Sequence, residues 1–245
     1  MNKNYENLID VSKYINVYET ENYSGTYVDT IVNSIQKSTD ATVTNSLDKA
    51  TEITAEKVIV DYEIKPVRKK LTLSMELYED NKEDVDRILD NAKSVQDSTI
   101  GLTQLLDVIS GLKASNGDIA TAYNKVYDYV SGCNSQNKAT IVLTSSVARQ
   151  LIKYDKVDGY KLFSDDGKKY LDADVLVVDD YGRYATKGYA YVGVLNKQFI
   201  QVKKETDVLS KVDDNNYTYV TYITYNGGVY DMGTGIGYEL IGISE

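Results

Sequence analysis

The sequence has no histidine and no tryptophan, and it has one cysteine and one proline among 245 residues. Without histidine it lacks the usual general base at neutral pH, the commonest zinc ligand and every Ser-His-Asp or Cys-His arrangement. The single Cys133 excludes an internal disulfide bond. No segment approaches the roughly 18 consecutive apolar residues of a membrane span. We therefore expect neither an enzyme nor a membrane protein, with no catalytic residue, no cofactor and no metal ligand.

The charge and the aromatic residues point towards association with protein. The net charge of −10 argues against nucleic-acid binding as the main role. Tyrosine is abundant, with 23 residues against two phenylalanines. Its apolar ring and polar tip suit surfaces that become buried on association. The N-terminus has no apolar core of a signal peptide, so no secretion signal is predicted.

Two apparent motifs do not support a ligand site. The stretch GTGIGYEL, from Gly233 to Leu240, lacks the spacing of a dinucleotide fingerprint and has too little chain after it for a βαβ unit. The acidic pairs lack the spacing of a calcium-binding loop; they are Asp165-Asp166, Asp179-Asp180 and Asp213-Asp214. We interpret them as turn glycines and solvated loops.

The only proline, Pro66, lies within a strand-like pattern. Before it, apolar side chains fall on even positions from Val58 to Ile64; after it, they fall on odd positions from Val67 to Leu73. A slip of one residue sends side chains to the opposite face of a sheet. Pro66 is therefore predicted to mark the point where a strand passes from a projecting arm into the body of the protein. The alternative is an ordinary edge strand with a bulge.

A long helix is predicted from Asn81, as N-cap, to Gly111. Its apolar stripe recurs every three or four residues, at Val85, Ile88, Leu89, Ala92, Val95, Thr99, Leu102, Leu105, Leu106 and Ile109. A coiled-coil strand is the alternative. A second helix is predicted to start at Asn116 or Asp118 and to stop at Gly132, with Ile119, Ala122, Val126 and Tyr129 on one face.

The remainder alternates strands and helices. ATIVLT predicts a buried strand that enters a helix at Ser145 or Ser146, and DADVLVVDD predicts another buried strand. YAYVGVL, QFIQVKKE and NYTYVTYITY predict three more strands. The N-terminal 36 residues lack sustained periodicity and are interpreted as an arm that packs on something else. Residues 39–54 are rich in Thr, Ser and Asp and predict an exposed loop. The fold class is therefore α+β.

Charges of opposite sign stand in adjacent blocks near Pro66. Such blocks can steer a surface towards a complementary copy of itself; a solvated charged face is the alternative. From these blocks and the strand before them we take nine candidates for a subunit interface: Tyr62, Ile64, Lys65, Arg68, Lys69, Lys70, Glu76, Glu79 and Asp80.

The order of elements resembles the major capsid proteins of tailed bacteriophages, which have the Hong Kong 97 fold. In that family a Lys- and Val-rich strand returns from an extended loop and ends in a serine followed by acids, as Ser74, Glu76 and Asp80 do here. A second family pattern matches Val142, Leu143, Thr144, Leu151, Asp158, Gly159 and Leu162. The segment DADVLVV stands where the family has a G-x-P-V strand, but lacks its glycine and proline.

The resemblance implies a division of the chain. Residues 1–36 would be the N-terminal arm and residues 37–65 an extended β-hairpin loop lying over a neighbouring subunit. Residues 66–132 and 217–225 would form a peripheral domain around a long spine helix, and residues 133–214 an axial domain. Residues 226–245 are expected to form a C-terminal strand that is assigned to neither domain. Some members of the family have a cleaved N-terminal scaffold segment, and none is evident here.

The function implied is a structural one: self-assembly in the host cytoplasm into the icosahedral shell of a virion. Copies would form pentamers, and hexamers in a larger shell, around double-stranded DNA that is not bound sequence-specifically. Portal, scaffold or decoration proteins are the further partners implied, and no membrane. One alternative keeps the fold in an encapsulin-like nanocompartment. Another, of a different class, is a small α+β enzyme or carbohydrate-binding domain.

Overall fold

The structure is a computed structural model that describes residues 9–32, 55–74, 82–133, 137–179, 188–213, 217–234 and 236–243. Its strands are β1 (Asn16–Glu19), β2 (Ser24–Val32), β3 (Ala55–Glu63), β4 (Lys65–Ser74), β5 (Ser115–Gly117), β6 (Thr140–Thr144), β7 (Lys169–Tyr170), β8 (Ala173–Val178), β9 (Tyr189–Gly193), β10 (Phe199–Asp213), β11 (Tyr217–Asp231) and β12 (Glu239–Ile243). Its helices are α1 (Lys82–Gly111), α2 (Ile119–Gly132), α3 (Ser145–Val157) and α4 (Leu195–Gln198), with a 3₁₀ turn at Val11–Lys13.

The chain divides into two compact units. The first comprises Met1–Tyr27, Val60–Leu105 and Ile200–Tyr230, and the second comprises Val28–Ile59, Leu106–Phe199 and Asp231–Glu245. The division assigns α2 to the second unit and most of β10 to the first. The boundaries expected from the family, 66–132 with 217–225 and then 133–214, stay predictions.

The first unit is built on a four-stranded sheet with the order β1-β10-β11-β4. β1 runs parallel to β10, and β4 runs antiparallel to β11, from Lys65 opposite Asn226 to Ser74 opposite Tyr217. The predicted N-terminal arm therefore contains strands within residues 9–32. β1 cannot be predicted from local sequence, because this strand is four residues long and depends on pairing with a strand far along the chain.

The strand that contains Pro66 and the strand before it lie in different sheets, as the predicted passage between two surroundings requires. β3 pairs with β2 in a separate two-stranded sheet, whereas β4 pairs with β11. Ile64 separates the two strands. β4 is also the outer strand of its sheet among the strands described, and Pro66 is exposed. A residue without a backbone donor is tolerated at such an edge. The predicted change of phase at residues 67–73 concerns side chains outside the described set.

α1 has 30 residues and ends at Gly111, as predicted; its predicted N-cap, Asn81, lies outside the described residues. One part of the predicted stripe is wrong. Thr99 is exposed and its hydroxyl donates to the carbonyl of Val95, while Gln96 is 8% exposed. Gly101 faces β10, since a Cβ there would lie 3.1 Å from Nε2 of Gln201. The inward face of the first-unit part of α1 is therefore partly polar, which an apolar periodicity cannot detect.

The second unit contains a six-stranded mixed sheet with the order β5-β12-β9-β6-β8-β7. Every residue of β6 is buried, as predicted for this apolar run. α2 begins after Asp118, whose carboxylate accepts from the backbone N–H of Thr121 at 2.8 Å. Asn116, the other predicted cap, lies in β5 instead. α3 starts at Ser145, directly after β6.

Helices α2 and α3 share one core with the sheet. Ala122, Tyr123 and Val126 of α2 and Val147 and Leu151 of α3 are buried in it. The strands contribute alternate residues: Ile141, Leu143, Ala173, Val175, Ala190, Val192, Ile241 and Ile243. This core holds α2 and α3 in place, and the loop after α3 starts from the C-terminal end of that helix.

Candidate functional site

The predicted interface begins on β3, where the alternation predicted from the sequence is confirmed. Val58, Val60, Tyr62 and Ile64 are buried, at 3–6% exposure, whereas the intervening residues, including Ile59, are exposed. One face of the strand is thus covered by the chain itself and the other is open to solvent.

Tyr62 lies in a small aromatic cluster of the first unit, which we call the root cluster: Tyr18, Tyr27, Tyr62, Ile64, Val202 and Tyr230. The Tyr62 hydroxyl and the hydroxyl of Thr20 form a hydrogen bond of 3.1 Å. The ring of Tyr18 lies 5.0 Å from that of Tyr27 and meets Tyr62 edge-on at 6.0 Å, between centroids. Contacts of this kind add to simple burial. The root cluster therefore fixes the base of the β2–β3 pair.

The register of β2 and β3 follows from two hydrogen bonds. The N–H of Ile64 donates to the carbonyl of Tyr23 at 2.7 Å, and the Thr26 hydroxyl donates to Asp61 at 2.7 Å. From Tyr23, directly before β2, to Thr26 the position advances by three residues, and its partner moves back by three, from Ile64, directly after β3, to Asp61, which is the order of an antiparallel pair.

The same register places Val28 opposite Ile59 on the outer face. Val28 is 52% exposed and Ile59 is 58% exposed. A two-stranded sheet is marginal by itself, and this one presents an apolar pair to solvent. The sequence signal was available, because Ile59 stands among Lys57, Asp61 and Glu63 on the polar face of β3. The prediction selected the buried face instead.

Gly25 gives a direct test of the root cluster. A Cβ at this position would lie 2.8 Å from the hydroxyl oxygen of Tyr62, closer than side-chain atoms normally approach. We expect Gly25→Ala to lower the free energy of unfolding by about 1–3 kcal/mol through overpacking. Urea denaturation measures the change, and Gly111→Ala, at an open position with nothing within 4 Å, is the matched control. An unchanged midpoint for Gly25→Ala would contradict the packing described.

The nine predicted interface residues fall into four groups. Tyr62 and Ile64 are buried within their own chain; Lys65 is exposed. Arg68, Lys69 and Lys70 lie on β4, paired with β11, and their side chains are outside the described set. Glu76, Glu79 and Asp80 are outside the described residues altogether. The role of all nine residues at an interface stays a prediction.

A second polar arrangement, which the sequence analysis missed, lies in the second unit around Asp155. This carboxylate is 1% exposed and accepts three hydrogen bonds: from the Tyr123 hydroxyl at 2.5 Å, from the N–H of Leu162 at 3.0 Å and from the N–H of Phe163 at 3.1 Å. Tyr123 in turn accepts from the N–H of Tyr160 at 2.9 Å. Asp155 thus ties the loop after α3 to α2.

The electrostatics of this network have opposing causes. Burial by itself raises the pKa of Asp155, but the hydrogen bonds from Tyr123, Leu162 and Phe163 outweigh it and hold the pKa below its usual value. Burial, and then the bond to Asp155, raise the pKa of Tyr123. At neutral pH the pair is therefore a carboxylate and a neutral phenol. A sequence signal existed, because Asp155 stands four residues after Leu151 on the inward stripe of α3.

Neither arrangement has the donor set of a metal site. Within the residues described, no group of three or more Cys, Asp or Glu side chains is placed to hold an ion. Among the helices described, none combines the length and the apolar character needed to cross a membrane.

Solved structures similar to this chain are capsids. No family model and no curated protein matches the sequence. The capsid of a native GTA particle, computed with C5 symmetry, has a TM-score of 0.61 at 13% identity, over 96% of this chain and 90% of that chain. The capsid of Myoviridae phage XM1 has a TM-score of 0.56 at 12% identity, over 97% and 92%. The capsid of cyanophage P-SCSP1u has a TM-score of 0.56 at 8% identity, over 94% and 86%.

The chain has a phage capsid fold. The resemblance to the Hong Kong 97 fold that the sequence suggested is thereby confirmed at the level of the fold. The match extends over nearly all of this chain and most of the chains compared.

Proposed function

We propose that this protein is the major capsid protein of a tailed bacteriophage, which self-assembles into an icosahedral shell around double-stranded DNA. The observation that carries the proposal is the likeness to capsid structures over almost the entire length of both chains. Under this proposal the function is to form contacts between copies, in which each copy covers apolar surface that its neighbours expose to solvent. The role is structural rather than catalytic.

Features of the chain support this role independently. Val28 and Ile59 form an apolar pair on a strand pair that is weak alone, and a neighbouring copy would cover it. The net charge of −10 suits a container for DNA, because an inner wall that held phosphate tightly would hinder packing and release. The proposal includes pentamers, with hexamers in a larger shell, assembled in the host cytoplasm and completed by portal, scaffold or decoration proteins.

The domain roles extend the proposal. We assign the peripheral role, with a spine helix, to the first unit, which contains most of α1 and the four-stranded sheet. We assign the axial role, near the centre of a capsomer, to the second unit, which contains the six-stranded sheet. The extended loop proposed for residues 37–65 would include β3 and most of the segment between β2 and β3.

Expression of the chain alone tests the proposal. We expect closed particles of uniform diameter in negative-stain electron micrographs and a fast-sedimenting species in velocity sedimentation, because identical copies complete each other's surfaces. The measurement is repeated over a range of protein concentrations, and co-expression with a scaffold protein is the second arm for a chain that needs one.

The contents and the size of the particles separate the alternatives. A single-copy species at high concentration, with and without scaffold, would rule out a shell and favour the enzyme or carbohydrate-binding class. Particles from the native source that hold a protein cargo and no DNA would indicate an encapsulin-like compartment. Particles that hold double-stranded DNA support the proposal.

A further inference from the structure

An apolar patch lies at the C-terminal end of α3, on the second unit. Val157 is 71% exposed and Tyr160 is 65% exposed. The Tyr160 ring lies 5.1 Å from that of Tyr127, between centroids, and Val157 lines a shallow groove with Ile119 and Tyr154. We call these five residues the α3 patch.

The α3 patch is held in place before any partner arrives. The N–H groups of Tyr160 and Leu162 donate to Tyr123 and Asp155. Between them Lys161 adopts a left-handed φ of 58°, which costs a residue with a Cβ roughly 1 kcal/mol and persists where the surroundings impose it. A side chain displayed on such a fixed loop loses little entropy on binding. Tyrosine in this setting is typical of an interface anchor.

Positive charge exceeds negative charge on α3 and the loop after it, beside the patch. Arg149, Lys153 and Lys156 of α3 and Lys161 of the loop after it are exposed, and within the described residues none of them forms an ion pair; Lys153 and Asp158 line the groove, and Asp118 and Asp128, next to Ile119 and Tyr127 in the chain, are exposed acids. The chain as a whole has 37 acidic and 27 basic side chains. The α3 side of the patch therefore has an excess of positive charge on an acidic protein, and another copy of the same chain has acidic surface of opposite sign.

From these observations we propose that the α3 patch binds a second copy of this chain, at an acidic surface different from the patch itself. Two basic patches facing each other would repel, so a symmetric patch-to-patch dimer is disfavoured. A contact between two different surfaces forms a ring when the rotation between neighbouring copies closes. This inference rests on the proposed function and deepens it, since it assigns a contact between neighbouring subunits of the shell.

Two variants test the inference against matched controls. Val157→Asp and Tyr160→Asp place a charge in the apolar part of the patch, while Val157→Thr and Tyr160→Phe keep shape or ring. Under conditions where the wild type forms shells, we expect the aspartate variants to lose the fast-sedimenting shell species and the controls to keep it. Circular dichroism reports whether each subunit is folded.

A charge variant covers the case in which the aspartate variants do not fold. Lys153→Glu combined with Lys156→Glu changes two exposed side chains and leaves the core of α3 intact. It is expected to reduce shell yield, because the contact then brings like charges together. Normal shells from this variant and from the folded aspartate variants would overturn the inference while leaving the proposed function standing.

Duplex DNA is the competing occupant of a basic surface. Binding of a fluorescently labelled duplex to wild type and to the Lys153→Glu, Lys156→Glu variant is measured by anisotropy. Loss of DNA binding with normal shell formation would assign the patch to nucleic acid and overturn the contact proposed here. Absence of shells from the wild type itself, with or without scaffold, would contradict the proposed function rather than this inference alone.

Discussion

Replacing Asp155 with alanine is expected to lower the free energy of unfolding by about 3–5 kcal/mol, because three donors lose their acceptor in a buried place. The Tyr123 hydroxyl and the backbone N–H groups of Leu162 and Phe163 all donate to this carboxylate. The N–H groups belong to the loop after α3, so the change releases that loop as well as opening a cavity.

The pH dependence follows from the lowered pKa of Asp155. A carboxylate whose pKa is lower in the folded state than in the unfolded state stabilises the fold above its unfolded pKa, about 3.9, and loses that contribution as the pH falls through the folded value. Asp155→Asn removes the charge at every pH. We therefore expect the stability gap between the wild type and Asp155→Asn to be widest near neutrality and to shrink below about pH 4.

Thermal unfolding followed by circular dichroism measures both effects. For a chain of this size a loss of about 3 kcal/mol corresponds to a fall of about 10 °C in the midpoint. Asp165→Ala removes the same charge from an exposed position in the neighbouring turn and is the matched control. Equal midpoints for Asp155→Ala and Asp165→Ala would contradict the role given to the buried carboxylate.

Elements stabilised by local sequence were predictable. The span of α1 follows from its periodic apolar residues and from Gly111, and the start of α2 follows from the capping side chain of Asp118. β6 and β8 follow from apolar runs of strand length. The transition between two sheets near Pro66 was also predictable, from the change of alternation in the sequence. Each of these signals lies within a short window of the chain.

Features that depend on distant partners were not predictable in the same way. β1 exists through its pairing with β10, and β5 through its pairing with β12. β10 and β11 extend to 15 residues each, well past the apolar runs that predicted them. Asp155 carried a signal, an acid on an inward stripe, but its three donors come from α2 and from a loop of irregular structure. Only the fold brings them together.

Removing the segment between β2 and β3 is expected to abolish shells without unfolding the subunit. The antiparallel register places Val32, the last residue of β2, opposite Ala55, the first of β3. An Asn-Gly dipeptide can therefore replace residues 33–54 as a tight hairpin turn. The hydrogen bonds from Thr26 to Asp61 and from Ile64 to Tyr23 are untouched by this change, and so is the root cluster. The shortened strand pair should remain on its subunit.

The loss expected in this variant is a loss of intersubunit contact. Under the proposed function, the removed residues are the part of the loop that contacts a neighbouring copy. Their deletion leaves folded subunits that lack this contact. Velocity sedimentation should show a slowly sedimenting species at concentrations where the wild type forms shells. The circular dichroism spectrum should show that the shortened subunit keeps its secondary structure. The control replaces residues 33–54 with a Gly/Ser linker of equal length, which keeps the reach of the chain and removes its side chains. Shells from the linker variant alone would assign the role to chain connectivity; shells of normal size from the shortened variant would show that assembly does not use this segment.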